Sequence, residues 1–225
     1  MLNRVITSNL LCLINWVCND MSNKKPAELG IVILAGGQGQ RMNGLDKGWL
    51  MYKGQPLIQR VVAQLQSQFN GPIMISANRN LKAYETFNLP VFTDEPSHNR
   101  SNYGGPLMGI KKALASGMAK RWLSWPVDVP KIPADYVQKM TQITAELAVA
   151  MIADQLHYTQ LLIDSNQLPN LNDYLKRGQR SIKGWLAQQS FQKVDFSAND
   201  VEFTNLNYPH QLEGSSLANS PAQRC

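Results

Sequence analysis

Residues 34–47, Leu-Ala-Gly-Gly-Gln-Gly-Gln-Arg-Met-Asn-Gly-Leu-Asp-Lys, concentrate the side chains and backbone freedom that phosphate chemistry needs. Glycine lets backbone N–H groups turn toward an anion, while Arg41 and Lys47 carry charge that neutralises it. The stretch is not a Walker A loop, because no Gly-Lys-Ser/Thr follows, and it lacks the third glycine of the dinucleotide fingerprint. A surface turn with incidental charge reads the same way in isolation. The second candidate is Trp125-Pro-Val-Asp-Val-Pro130, in which Asp128 stands between two prolines that restrict the backbone. One rigid carboxylate is chemically sufficient for Mg²⁺, which binds one or two carboxylates and completes its shell with phosphate oxygens and water. An Asp in an ordinary proline-bounded turn is the alternative.

These segments need elements to hold them. From Gly30 onward, short β-branched runs alternate with helical patterns, which predicts an α/β domain around a largely parallel sheet. Ile31-Val-Ile-Leu34 reads as the first buried strand. Pro56 stands where a helix can start, with Leu57, Val61 and Leu65 recurring on one face. Further strands are expected at 72–77, 90–92 and 121–125, with a helix opening at Pro106 between the last two. The C-terminal part predicts a helix over 133–145, strands over 147–152 and 158–163, two helices within 169–189, and a strand near Val194. In such a sheet the functional loops gather at the carboxyl ends of the parallel strands. That places residues 35–47, 76–80, 94–105 and 126–133 on one rim. Gly104-Gly-Pro106 offers free N–H groups at a helix start, where an anion is favoured, although proline-initiated helix formation accounts for it equally well.

The whole chain sets outer bounds. Its 225 residues suit one domain with a real core. Lys and Arg outnumber Asp and Glu by 22 to 16, which fits an anionic ligand, but no basic run reads as a nucleic-acid arm. Three cysteines, Cys12, Cys18 and Cys225, form neither a zinc spacing nor a disulfide framework, so a reducing cytoplasm is expected. The apolar run over 10–18 imitates a signal peptide poorly and is too short to span a bilayer, so no membrane association is expected. Residues 1–28 are therefore read as an N-terminal extension, 29–213 as the working domain and 214–225 as a disordered tail.

Leu-Ala-Gly-Gly-x-Gly-x-Arg-Met followed by Asp46-Lys47-Gly48 resembles the signature loop of GT-A-like nucleotidyltransferases, in the form of the molybdenum cofactor guanylyltransferases. The match continues through Ile75-Ser-Ala-Asn-Arg-Asn80, Asp94, Gly104-Gly-Pro-Leu-Met-Gly109, residues 125–130, Gly178-Gln-Arg180 and Asn205-Leu-Asn-Tyr-Pro209, in the family's order. The resemblance implies a three-layer α/β/α, Rossmann-like fold of the nucleotide-diphospho-sugar transferase type. It implies transfer of GMP from GTP to the terminal phosphate of molybdopterin, with or without molybdenum, with Mg²⁺ as cofactor. By the same resemblance Lys47, Arg41 and Asp128 carry catalysis, and Asp128 ligates the metal. Leu34, Ala35, Gly36, Gly37, Lys47, Ser76, Asn78, Asp94 and Asp128 bind GTP, while Arg180, Asn205 and Asn207 face the acceptor. Ser76 stands where some relatives carry Asn, which leaves open which residue reads guanine. The implied partners are GTP, molybdopterin and, transiently, other cofactor-biosynthesis proteins or molybdoenzyme apoproteins. Transfer from CTP to molybdopterin, transfer to a sugar phosphate, and a non-catalytic GTP- or molybdopterin-binding carrier are the alternatives.

Overall fold

Alternation along residues 31–34 sends Ile31 and Ile33 to one side of a sheet and Val32 and Leu34 to the other, so this segment needs a cover on both faces. The computed structural model, which describes residues 25–37, 46–93, 105–197, 203, 205 and 206, supplies both. In chain order the elements are β1 (Ala27–Leu34), a 3-10 turn (Lys47–Trp49), β2 (Met51–Tyr52), β3 (Gln55–Pro56), α1 (Leu57–Gln68), β4 (Ile73–Ser76), α2 (Leu81–Glu85), β5 (Val91–Phe92) and α3 (Pro106–Ala115). There follow β6 (Ala119–Pro126), α4 (Tyr136–Thr141), β7 (Leu147–Ile152), β8 (Gln155–Asp164), a second 3-10 turn (Ser165–Gln167), α5 (Leu168–Lys176), α6 (Ile182–Leu186) and β9 (Gln192–Asp195).

Seven strands form one sheet in the order β5-β4-β1-β6-β8-β7-β9. Strand β8 runs against both of its neighbours, and every other pair is parallel. One face packs against α1 through Leu57, Ile58, Val61, Val62 and Leu65 and against α4 through Tyr136, Val137 and Met140. The other face packs against α3 through Leu107, Ile110, Ala113 and Leu114, and against α5 and α6 through Leu171, Leu175, Ile182 and Trp185. This is the three-layer, mostly parallel architecture that the sequence predicts. Among the described residues no helix is long and apolar enough to cross a membrane.

Three local readings are corrected. Strand β1 starts at Ala27, inside the stretch assigned to the N-terminal extension, because Ala27 and Leu29 pair in register with Ala119 and Arg121 of β6. The remainder of that extension, residues 1–24, and the tail at 214–225 lie outside the described residues. The helix expected over 133–145 is confined to Tyr136–Thr141. The hairpin of β2 and β3 and the helix α2 have no counterpart in the sequence reading. The hairpin turns on Lys53 and Gly54, both with positive φ (50° and 79°), and Lys is not among the residues that announce such a turn.

Helix α3 lies close on the sheet because Gly109 has no β-carbon; one added there would collide with the Ser76 side chain and Leu34 Cδ2. Gly109→Ala is expected to push the helix outward and cost about 1–3 kcal/mol, as other overpacking substitutions do. Urea unfolding should show a lower midpoint with an unchanged slope.

Candidate functional site

The site begins with strand register. Leu34 of β1 pairs with Ser76 of β4 and Pro126 of β6, and Ser76 pairs with Phe92 of β5, so four parallel strands end at one level. The chain leaves that level four times, and the loops bearing the candidate residues start from the same rim. Backbone bonds extend the alignment beyond the strands: Ala35 N–H donates to Ser76 O (2.8 Å), Ala77 N–H to Phe92 O (2.9 Å) and Val127 N–H to Leu34 O (3.1 Å). The Ala35 N–H is therefore committed to the sheet.

Lys47 and Asp128, separated by 81 residues, meet on this rim: Lys47 Nζ donates to Asp128 Oδ2 at 2.8 Å. Their side chains are 21% and 16% exposed, so the pair is largely but not fully removed from water. That matters because a partly shielded cation and carboxylate remain reachable by a charged ligand, whereas a fully buried pair would be locked together.

Asp128 sits in a turn that is held from several sides. Trp125 Nε1 donates to Val129 O (2.9 Å), Leu206 N–H to Asp128 O (2.8 Å), and Gln64 Nε2 of α1 to Pro130 O (2.9 Å). The Trp125 ring packs edge-on against Tyr136 (4.7 Å between centroids) and Phe203 (5.4 Å). Trp125 is fully buried, and its indole N–H, which its place in a strand does not announce, also closes the turn around the carboxylate.

Lys47 owes its position to Asp46, which the sequence reading quoted within the motif but gave no role. Asp46 caps the 3-10 turn by accepting from Gly48 N–H (3.1 Å). It also accepts from Asn80 Nδ2 (3.2 Å) and the Tyr84 hydroxyl (2.7 Å). Burial raises the Asp46 pKa; the bonds from Tyr84, Gly48 and Asn80 and the Arg79 charge oppose that shift without cancelling it. Burial, then the neighbouring Asp46 carboxylate, push the Tyr84 phenol far above its ordinary range, so it stays a donor.

The remaining candidates are distributed unevenly. Gly36 and Gly37 leave the end of β1, where their carbonyls accept from Asn78 Nδ2 (3.3 Å) and Arg79 Nη2 (2.8 Å). Ser76 is only 5% exposed and packs against α3 at Gly109. Arg180 is exposed, and its Nη1 donates to Leu175 O (2.8 Å) and Gln179 O (2.7 Å) at the end of α5. Its backbone nevertheless borders the rim, since a β-carbon on Gly105, just before α3, would stand 3.8 Å from Arg180 O. Gly105 has φ 66° and ψ −173°, a conformation essentially reserved for glycine. Asn205 is exposed and adjoins Leu206, the residue bonded to the Asp128 carbonyl. Arg41, Asp94, Gly104 and Asn207 lie outside the described residues. Among the described residues no group of three or more His, Cys, Asp or Glu could hold a metal ion.

Residues 31–194 match the model of the MobA-like NTP transferase domain. The chain is 37% identical over 180 residues to a molybdenum cofactor guanylyltransferase of Pasteurella multocida (strain Pm70), covering 78% of this chain and 93% of that one. It is 35% identical over 195 residues to the protein of the same name from Shewanella sediminis (strain HAW-EB3), covering 85% and 97%. In structure it is similar to molybdopterin-guanine dinucleotide biosynthesis protein A of Archaeoglobus fulgidus, with a TM-score of 0.66, 17% identity and coverage of 81% and 94%. It is also similar to 4-diphosphocytidyl-2C-methyl-D-erythritol synthase of Anaerococcus prevotii, with a TM-score of 0.62, 9% identity and coverage of 83% and 93%. The two structural likenesses speak for the fold alone.

His157 at the start of β8 lies edge-on to Phe203 (4.8 Å), and burial lowers its pKa. The unfolded chain therefore takes up this proton more readily than the folded one. The contribution is fully present above the unfolded value of about 6.5 and is lost as pH falls through the lowered folded value. Between about pH 7 and about pH 5 the urea midpoint of the native chain should fall more steeply than that of His157→Gln. Equal slopes would exclude this imidazole as the source.

Proposed function

This chain belongs to the MobA-like NTP transferases, among the molybdenum cofactor guanylyltransferases, and we propose that it transfers the GMP unit of GTP to the terminal phosphate of molybdopterin. An oxygen of the acceptor phosphate attacks the α-phosphorus of GTP. The bond from that phosphorus to the oxygen bridging to the β-phosphate breaks, and pyrophosphate leaves with the electron pair. No protein nucleophile is required, because the acceptor brings its own. The chain's task is to hold two anionic substrates in line and to offset the charge that accumulates between them.

The observation that carries this reading is the partly exposed ion pair of Lys47 and Asp128 at the common end of four parallel strands. The pair supplies opposite charges to a triphosphate and its cation. On binding, the Lys47 ammonium exchanges its carboxylate partner for phosphate oxygen, and Arg41 adds a second positive charge. The Asp128 carboxylate would then be available to hold Mg²⁺. The donor set fits that ion: one carboxylate whose Oδ1 accepts nothing from the described residues, in a turn with little freedom. When bound, Mg²⁺ draws charge from the phosphates and from the departing pyrophosphate.

Gly36 and Gly37, with Leu34 and Ala35 behind them, form the start of the triphosphate loop in this reading, and Ser76, Asn78 and Asp94 belong to the nucleoside side. Arg180, Asn205 and Asn207 belong to the acceptor side, an assignment supported by the proximity of Leu206 to Asp128 and of Arg180 to Gly105. We place the protein in the cytoplasm, where its cysteine usage fits a reducing milieu.

The test is binding of GTP, CTP and ATP with Mg²⁺, followed by incubation with molybdopterin and detection of dinucleotide and pyrophosphate. GTP should bind most tightly and yield the guanine dinucleotide. A preference for CTP would overturn the substrate, and binding without pyrophosphate release would mark a carrier. Asp128→Ala should keep its fold and lose roughly 100-fold or more in kcat, as removal of a charge-stabilising group does elsewhere. Lys47→Ala should raise the GTP Kd by about tenfold or more.

A further inference from the structure

Residues 78–84, between β4 and the end of α2, touch the glycine-rich stretch at both of its described ends. At the first end, Asn78 Nδ2 donates to Gly36 O (3.3 Å) and Arg79 Nη2 to Gly37 O (2.8 Å). At the second, Asn80 Nδ2 donates to Asp46 Oδ2 (3.2 Å) and the Tyr84 hydroxyl to Asp46 Oδ1 (2.7 Å). Four side chains within seven residues thus hold two points of the chain that are nine residues apart in sequence, Gly37 and Asp46. Asn80 makes this possible by adopting the left-handed conformation (φ 50°, ψ 34°), which Asn tolerates better than most residues. The chain turns there, so 78 and 79 reach one end of the stretch and 80 and 84 the other.

We propose that residues 78–84 are a clamp that presets the triphosphate loop, and that Asp46 and Asn80 are positioning residues acting through Lys47.

Peptide geometry sets the direction of the donors at the first end. In a trans peptide the C=O and the following N–H point in opposite directions, and no cis bond is present among the described residues. Drawing the Gly36 carbonyl toward Asn78 turns the Gly37 N–H the other way, out of reach of the clamp. The Gly37 N–H is oriented before any anion arrives, which removes part of the ordering cost of binding.

At the second end Asp46 directly precedes Lys47 in the chain. Asp46 accepts from the N–H of Gly48, so the two residues flanking Lys47 are tied to each other, and the same carboxylate oxygen accepts from Tyr84. A β-carbon on Gly48 would collide with the Tyr84 hydroxyl, so the phenol comes as close to the 3-10 turn as the backbone allows. Tyr84 is itself fully buried, and its ring packs against Trp49 of the same turn (5.4 Å). The backbone of Lys47 is thereby fixed, and its ammonium reaches Asp128 from a defined starting point. Asp46 faces the clamp and binds no substrate in this scheme; its carboxylate acts on the reaction only through where it places Lys47.

What Lys47 does rests on the guanylyl-transfer reading, whereas the clamp itself is measurable without nucleotide. Amide hydrogen exchange on the full ligand-free chain should show Gly48 and its neighbours exchanging at least about tenfold faster in Tyr84→Phe and Asn80→Ala, with β1 and β6 unchanged. Unchanged exchange in both variants overturns the clamp, even if the native chain binds no GTP and the guanylyl reading fails by itself. The second arm is a double-mutant cycle on GTP Kd and kcat/KM with Asp46→Ala and Lys47→Ala. Asp46→Ala alone should weaken GTP by about tenfold, as loss of alignment does, and should change it less than about twofold when Lys47 is already absent. An equal factor in both backgrounds overturns action through Lys47. Should Asp46→Ala fail to fold, Tyr84→Phe carries the same cycle, with about a threefold effect expected in the native background and none in Lys47→Ala.

Discussion

A lysine ammonium 2.8 Å from a carboxylate 81 residues away can be held only if two loops leave the scaffold from the same height. That requirement is met by register. With Leu34 opposite both Ser76 and Pro126, a shift of one residue in either pairing would turn alternate side chains to the wrong layer and displace one loop by the rise of a residue, about 3.3 Å. Register is in turn enforced by burial on both faces, because Ile31 and Ile33 pack in the layer of α1 and α4, while Val32 and Leu34 pack in that of α3, α5 and α6. The ion pair is thus the last consequence of core packing, and the chemistry of the rim depends on it.

Stiffness is distributed with the same logic. The Asp128 turn is closed by an indole donor, flanked by prolines and supported by Tyr136 and Phe203 packed on the same indole. The Gln64 amide of α1 and the Leu206 N–H donate to its carbonyls. Lys47 is secured differently, through a carboxylate that burial disfavours and three donors support. A buried carboxylate is an expensive way to hold a turn unless each of its bonds is made. Here both oxygens are engaged by donors from two separate elements, so the turn and α2 hold each other.

The antiparallel strand β8 gives the sheet its asymmetry. Because β8 runs against β6, its first residues return to the level at which β6 ends, and His157 and Phe203 meet beside the Asp128 turn. The C-terminal part of the chain therefore reaches the same rim as the glycine-rich stretch from the other side. A sheet parallel throughout would have carried residues 155–158 to the opposite end.

Much of this was legible in the amino-acid sequence. A continuous apolar run located β1, helical apolar spacing located α1 and α3, and the rule that loops at the carboxyl ends of parallel strands carry function put the segments bearing Lys47 and Asp128 on one rim, where the family resemblance gave both residues their roles. Those signals are local, and local patterns survive in a one-dimensional string. The hairpin of β2 and β3 escaped because Lys53 in a positive-φ turn leaves no compositional mark, and α2 escaped because five residues are too few to show a period. The bonds of Asn80 and Tyr84 to Asp46 join residues 34 and 38 positions apart, the indole cap on Val129 residues 4 apart, and the packing of Ser76 against Gly109 of α3 residues 33 apart. Residue type alone made each of these side chains a candidate for several contacts. Only the packed sheet, by fixing register and the side of each strand that a residue faces, decided which contact was made.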